Sequence, residues 1–337
     1  MSEKGKALVI GASGFLGSHV VKQLSAEGYD VRGMFRKSSD QRAVQGLAIE
    51  RVYGDVLDAQ SLKAAMQGVD FVFHCALDPR AWIRDSTPLY RTNVDGLRNS
   101  METALECGIK RFVFTSTYAT IASFPDRKAT EADEFNWWEK APEYVRSRVL
   151  AENMFFDYCS VRGLPGVAMN VGNTYGSDDF AITGQGRVVD QVVSGKMKMY
   201  FDGGNVSIGI KDAARAMVLA CENGRIGERY IITERYLTYR ELMSLSAEFA
   251  GVEPPAKRLP RWAMYLFAGI CDLLNMVNVP AGNTSIRSTR LVWCMGDMDN
   301  TKARTELNWE PRPVENELRE AVEFYQARQQ LALPTNS

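Results

Sequence analysis

Only two histidines, His19 and His74, occur in the 337 residues, and no two of the six cysteines stand at CxxC spacing. Zinc sites and disulfide frameworks need clusters of those residue types, so neither is expected and no metal is assigned. Long apolar runs are missing too. The start, MSEKGKALVIGASG, passes from a few charged residues straight into a short strand-like run, without the apolar stretch of a signal peptide. A cytoplasmic setting is the expectation. The most apolar late stretch, Trp262 to Leu274, is too short to cross a bilayer and contains Asp272. No membrane span is expected; the stretch reads as core, pocket wall or interfacial helix. An excess of one charge is also lacking, with 40 basic against 41 acidic residues. That balance argues against a nucleic-acid footprint and for a small-molecule partner.

What is present is an alternation of short β-branched runs with helical stretches over the first 115 residues, the pattern of a parallel sheet covered on both faces. The expected strands are Ala7 to Ile10, Val31 to Phe35, Ile49 to Tyr53, Phe71 to His74 and Phe112 to Thr115. A long helix from Leu89 to Cys107 is closed by Gly108, where a C-terminal cap favours glycine. Segment 118–142 reads as a polar and aromatic loop, Pro142 opens another helix, and Val167 to Val171 is a further strand. The fold class is therefore α/β, a Rossmann doubly wound parallel sheet with a smaller, mainly C-terminal α+β substrate domain. Residues 1–175 form the first domain, with return elements near 205–235, and residues 176–337 mainly the second.

Lys6 to Gly17 reads KALVIGASGFLG and sets Gly11, Gly14 and Gly17 between a strand and a helix. Such glycines allow a tight turn, close approach of a pyrophosphate to the backbone, and close helix-to-sheet packing. The end of the second strand, VRGMFRKSS, carries Arg36 and Lys37 where a carboxylate would bind a free ribose 2′-hydroxyl. These cations either accept a 2′-phosphate, favouring NADP(H) over NAD(H), or form a solvated basic turn.

These motifs resemble the extended short-chain dehydrogenase/reductases, the NAD-dependent epimerase/dehydratase superfamily. GASGFLG, GDVLD, FHCAL, NVDGLRN, RFVFTST and NTKARTELNWEPRP carry the likeness. YRTNVDGLRNSMETALECGIKRFVFTSTYAT and GRIGERYII narrow it to the hopanoid-associated sugar-epimerase-like, 3β-hydroxysteroid-dehydrogenase and dihydroflavonol-reductase-like proteins. The resemblance implies an NAD(P)-dependent oxidoreductase that works as a homodimer. It also implies cofactor contacts from Gly11, Ser13, Gly14, Phe15, Leu16 and Gly17 in the turn, and from Asp55 and Val56 at the adenine. Cys75, Ala76, Leu77, Asn93, Thr115 and Asn170 would line the groove, joined by Tyr144 and Arg148 at its catalytic end. His74 is either a groove contact or a strand-end residue without a chemical role.

Family members carry a serine or threonine after the fifth strand and a tyrosine four residues before a lysine. Thr117 and Tyr144 fit, but Arg148 stands in the lysine position. Four-residue spacing puts both side chains on one helix face. A fixed cation there favours the phenolate that proton exchange requires, although a guanidinium cannot itself release a proton. In AMNVGNTYG, Asn170 and Val171 replace the family's arginine and proline, which weakens inference about substrate. Tyr118 and Ala119 stand where nucleotide-sugar dehydratases have an acidic pair, so dehydration is disfavoured. DEFNWWEK and RWAMYLFAGICDLLNMV supply Trp137, Trp138, Trp262 and Phe267, either core or the shared wall of an apolar pocket. A bulky apolar carbonyl or alcohol is the leading substrate class. Sugar epimerisation through a transient ketone, or cofactor sensing without catalysis, are the alternatives.

Overall fold

The computed structural model describes residues 4–276 and 284–332. Seven strands build the central sheet: β1 (Lys6–Ile10), β2 (Asp30–Phe35), β3 (Glu50–Tyr53), β4 (Phe71–His74), β5 (Arg111–Thr117), β6 (Gly166–Val171) and, after a three-residue β7 (Asn173–Tyr175) and two others outside it, β10 (Arg229–Ile232). Their order is β3-β2-β1-β4-β5-β6-β10, every pairing parallel. The order reverses between β1 and β4, the crevice at which open α/β sheets bind ligands beyond their carboxyl ends.

Parallel strands are buried on both faces, which explains why they read as continuous apolar runs. One face packs Val20, Val21 and Leu24 of α1 (Phe15–Ala26) against Ala213 and Met217 of α7 (Ile210–Asn223) and the strand residues Val9 and Val113. The other packs Leu62 of α2 (Ala59–Met66), Met101 of α4 (Gly96–Glu106) and Phe155 of α5 (Glu143–Arg162) against Leu8, Val72 and Phe114. A short helix, α3 (Thr87–Tyr90), runs into α4 through a π-helical turn, Arg91–Asp95. Gly108, with φ +65°, follows α4 in the left-handed conformation anticipated at its end.

The second layer holds a three-stranded sheet in which β9 (Gly204–Gly209) lies between β7 and β11 (Arg235–Thr238). The helices α6 (Gly184–Val193), α8 (Tyr239–Ala250) and α12 (Val314–Ala332) share a core around Val189, Leu242 and Tyr325. A two-residue pair joins β8 (Met199–Tyr200) to β12 (Lys257–Arg258). Beyond it come α9 (Arg261–Met276), α10 (Ile286–Arg290) and α11 (Thr301–Leu307). No described helix is long and apolar enough to cross a membrane.

Candidate active site

The turn after β1 is shaped by what a side chain would strike. Gly11 has φ +82°, and a Cβ there would lie 2.9 Å from the Ala76 backbone nitrogen; one on Gly17 would lie 2.2 Å from the Gly11 carbonyl oxygen. Gly14 caps α1, with no side-chain cap and no acid in the first turn. The positive end of the helix is therefore left to an external anion. Arg36 and Lys37 follow β2 at the same edge, both exposed and without an ion pair among the described residues. Ser13, Phe15 and Leu16 lie in the turn and first helical residues, and Cys75, Ala76 and Leu77 follow β4 half-buried beside it. The Oδ1 of Asp55 accepts the Leu57 amide at 2.9 Å, and Val56 packs against Gly96.

Thr117 ends β5 and Tyr144 lies in the first turn of α5, whose entry is set by Pro142. The Thr117 hydroxyl accepts the Ala119 amide at 3.3 Å and lies near enough to the Tyr144 phenol to lower its pKa. Burial raises the phenol's pKa above its ordinary value, while Arg148 and the Thr117 hydroxyl pull it back down. The Arg148 side chain is 1% exposed. Its Nη2 donates to the Thr115 carbonyl, its guanidinium lies 5.0 Å from the Phe114 ring centre, and Nε and Nη1 have no partner. Two buried, unpaired donors beside a phenol are costly unless a ligand satisfies them. They suit the hydroxyls of a bound dinucleotide.

His74 lies at the end of β4 with both ring nitrogens unpartnered, 6.0 Å and 6.2 Å from the ring centres of Phe112 and Phe114. Burial, and secondarily Arg148, push its pKa down to about 3. The imidazole is thus a neutral member of the core rim at neutral pH.

Two groove candidates are engaged elsewhere. Asn93, inside the π-helical turn, accepts from the Asp78 amide at 2.8 Å and donates to the Asp78 carbonyl and the Ser147 hydroxyl. It ties the loop after β4 to α5. Asn170 points to the α5 side of the sheet and donates to Glu152 at 2.7 Å, to Thr120 and to the Thr117 carbonyl. Glu152 also takes the hydroxyls of Ser116 and Thr120, and Arg229 at 2.8 Å. This buried network props the carboxyl ends of β5 and β6 from beneath. Sequence reasoning missed Asp78, whose buried carboxylate opposes ionisation of Tyr144 and is clasped by Arg80. Its place directly after the apolar FHCAL run was the available signal.

The two tryptophan segments do not build one pocket. Trp137 is core, packed with Met295 and Met298 and donating its indole N–H to the Ile121 carbonyl at 3.3 Å. Trp138 instead lines a cavity of about 870 Å³ on the outer side of α5, with Phe135, Phe156, Glu152 and Arg229. Trp262 and Phe267 stand on the surface, 70% and 58% exposed. Tyr144 packs against an apolar cluster that includes Trp137, Val145, Met295 and Met298, against which Tyr118, Tyr236, Leu291 and Cys294 also pack.

The family model described as "NAD dependent epimerase/dehydratase family" matches residues 7–233. Sterol demethylase protein B of Methylococcus capsulatus is 29% identical over 95% of this chain and 98% of its own. The 4-hydroxy-2-methyl-3-oxo-4-farnesyl-3,4-dihydroquinoline-1-oxide ketoreductase of Stigmatella aurantiaca is 27% identical over 91% of this chain and 92% of its own. Among solved structures, gox2253 superposes with a TM-score of 0.85 at 28% identity, covering 96% of this chain and 98% of that one. The chain belongs to the NAD-dependent epimerase/dehydratase family and is an NAD(P)-dependent oxidoreductase of the extended short-chain dehydrogenase/reductase type.

Proposed function

We propose that this enzyme interconverts a carbonyl and a secondary alcohol on a bulky apolar substrate, using NADP(H), with Tyr144 as the acid and base. The observation that carries the proposal is the grouping of the Thr117 hydroxyl, the Tyr144 phenol and the Arg148 guanidinium in one buried site. In reduction the phenol gives its proton to the substrate oxygen; in oxidation the phenolate takes it back. Thr117 holds that oxygen by its hydroxyl, and the Arg148 field stabilises the anionic form of Tyr144. The nicotinamide, when bound, supplies or accepts the hydride.

The glycine turn and the open end of α1 would hold the pyrophosphate, the unpaired Nε and Nη1 of Arg148 a ribose hydroxyl, and Arg36 with Lys37 the 2′-phosphate. Residues 1–175, completed by β10, would carry the cofactor, and residues 176–337 mainly the substrate. The apolar class is supported by the apolar cluster against which Tyr144 packs, to which the tryptophan segments contribute Trp137 but neither Trp138 nor Trp262, and by relatives whose names include a sterol and a farnesylated quinoline. A cytoplasmic homodimer belongs to the same reading, with Leu150 and Val161 exposed along one outer face of α5 as contact candidates.

The test is turnover of NADPH with a panel of sterol-like and prenylated ketones, for the parent and Tyr144→Phe. Net cofactor consumption is expected, falling by about 10² to 10⁴ in the variant with cofactor binding retained. Conversion of a sugar derivative without net consumption would favour epimerisation, and cofactor binding with no conversion of any substrate would favour sensing.

A further inference from the structure

The helix α9 is inverted relative to an ordinary surface helix. Its small residues Ala268 and Cys271 are buried, while Trp262, Leu266, Phe267, Ile270, Leu273 and Leu274 are exposed. At about 100° per residue these six fall within an arc of about 140°. Four of them, Trp262, Leu273, Leu266 and Phe267, are 70%, 61%, 58% and 58% exposed. A contiguous apolar face of this kind marks an interaction surface rather than scattered surface apolar residues.

The charges around it identify the occupant. Between residues 254 and 291 the sequence holds Lys257, Arg258, Arg261, Arg287 and Arg290 against the single carboxylate of Asp272. All five cations are exposed; Arg258 pairs with Asp202 and Arg287 is held by backbone carbonyls, which leaves Lys257, Arg261 and Arg290 without a carboxylate partner among the described residues, while Asp272 accepts the Ile286 amide at 3.0 Å. The whole chain carries a net charge of −1, so this segment concentrates positive charge. Three of the cations precede or begin α9, at the helix end whose dipole disfavours them, and no acid occupies the first turn. Helix stability does not explain their placement. An anionic surface does.

We infer that α9 lies in the headgroup region of an anionic lipid bilayer, its six apolar side chains buried among the acyl chains and Lys257, Arg261 and Arg290 on lipid phosphates. An interfacial helix combines these two features, and each cation near an anionic leaflet adds to binding. A second copy of the chain is the poorer occupant, because a two-fold contact through α9 would bring two cationic segments together. The docked face adjoins the catalytic cleft. Tyr265 of α9 stacks on Trp293, 5.4 Å between ring centres, and the next residue, Cys294, packs in the cluster that contains Tyr144. Arg287 also donates to the carbonyls of Ile83 and Arg84 in the loop after β4. A membrane-dissolved substrate would then enter beside its site of reaction, though docking itself does not depend on the catalytic reading.

The experiment is co-sedimentation of the full chain with vesicles of phosphatidylcholine alone and of equal parts phosphatidylcholine and phosphatidylglycerol. Binding to the anionic vesicles is expected, weakened by high salt, and reduced about tenfold or more by Phe267→Glu. A parallel measurement needs no disruptive variant: anionic vesicles with brominated acyl chains should quench the tryptophan emission of the parent and quench Trp262→Phe less. Absence of sedimentation with anionic vesicles overturns the inference, as does quenching that is unchanged in Trp262→Phe. A concentration-dependent increase in mass that Phe267→Glu abolishes, without vesicle binding by the parent, would assign the face to a second copy instead.

Discussion

Arg148 is tied to Thr115 through a single bond, Nη2 to the carbonyl oxygen, while its other two guanidinium nitrogens remain buried and unpaired beside Tyr144. A lysine at this position would offer a compact ammonium on a flexible stem; the guanidinium is a planar fork whose orientation is fixed by its one anchor. The strand that ends in Thr117 thus also aims the cation that lowers the Tyr144 pKa.

Arg148→Met should separate stability from function. It removes two unsatisfied donors, each costing about 1 to 3 kcal/mol, so the cofactor-free protein should unfold at equal or higher temperature. Cofactor-induced stabilisation should shrink at the same time. With its cationic neighbour gone, the Tyr144 pKa, already raised by burial, should rise further. Oxidation needs the phenolate, so the ascending, acid-side limb of its profile should move to higher pH, while reduction, which needs the phenol, should persist to higher pH. Arg148→Lys should leave both limbs near those of the parent. An unmoved profile in Arg148→Met, measured by steady-state rates across pH, would remove Arg148 from the proton transfer.

Arg36→Ala should weaken NADP(H) binding about tenfold or more and leave NAD(H) binding unchanged, because a charged hydrogen bond contributes about 1.5 to 3 kcal/mol. Titration calorimetry with both cofactors reads this directly. Equal loss for the two cofactors would make Arg36 and Lys37 a general electrostatic patch.

Gly17→Ala should lower stability by about 1 to 3 kcal/mol and abolish cofactor binding, since its Cβ would meet the backbone of Gly11 rather than a side chain that can move aside. Gly184→Ala is the control. It stands at the start of α6 with nothing within 4 Å of a Cβ, so it should be neutral or stabilising by up to about 1 kcal/mol. Denaturant melts of both variants, with and without NADP(H), distinguish a turn that needs glycine from one that merely contains it.

The parallel sheet was legible because its strands are buried on both faces, and the pattern of apolar runs between helices survives without any contact information. The first four observed strands depart from the sequence expectation by one residue at the amino end or not at all, and β5 is extended to Arg111–Thr117. The short strands β7, β8, β11 and β12 were not legible, because two to four residues among glycines carry no periodicity. Tyr144 and Arg148 could be paired from their spacing on one helix. The roles of Asn93 and Asp78 could not, since they depend on a π-helical turn bringing Asn93 against a loop fifteen residues earlier. Trp137 and Trp138 are adjacent in sequence but occupy core and cavity, a division that an irregular segment does not announce. For α9 the apolar character was plain, and only the fold revealed that it faces outward.

The two histidines give the protein an acid response of definite sign. His74 is held at a pKa of about 3 and His19, also buried, at about 4, both below the ordinary value of 6.5. Each therefore binds a proton more readily unfolded than folded. Their contribution to stability is full above about pH 6.5 and declines as pH falls toward the folded-state values, at about 1.4 kcal/mol per pH unit for each. Glu317 acts in the opposite direction, because burial raises its carboxyl pKa to about 7 and the folded state takes up its proton first. The net slope of the parent between pH 7 and 5 is consequently smaller than two histidines alone would give. Comparing the parent with His74→Phe cancels His19 and Glu317. Phenylalanine keeps an aromatic ring between Phe112 and Phe114 and removes two unpaired nitrogens, so it should be tolerated at pH 7. Its stability relative to the parent should then increase by about 2 kcal/mol on going from pH 7 to pH 5. Urea unfolding of both proteins at the two pH values supplies the four free energies required. A relative stability that does not change with pH would mean that His74 protonates as easily folded as unfolded, and that its burial against Arg148 is not maintained in solution.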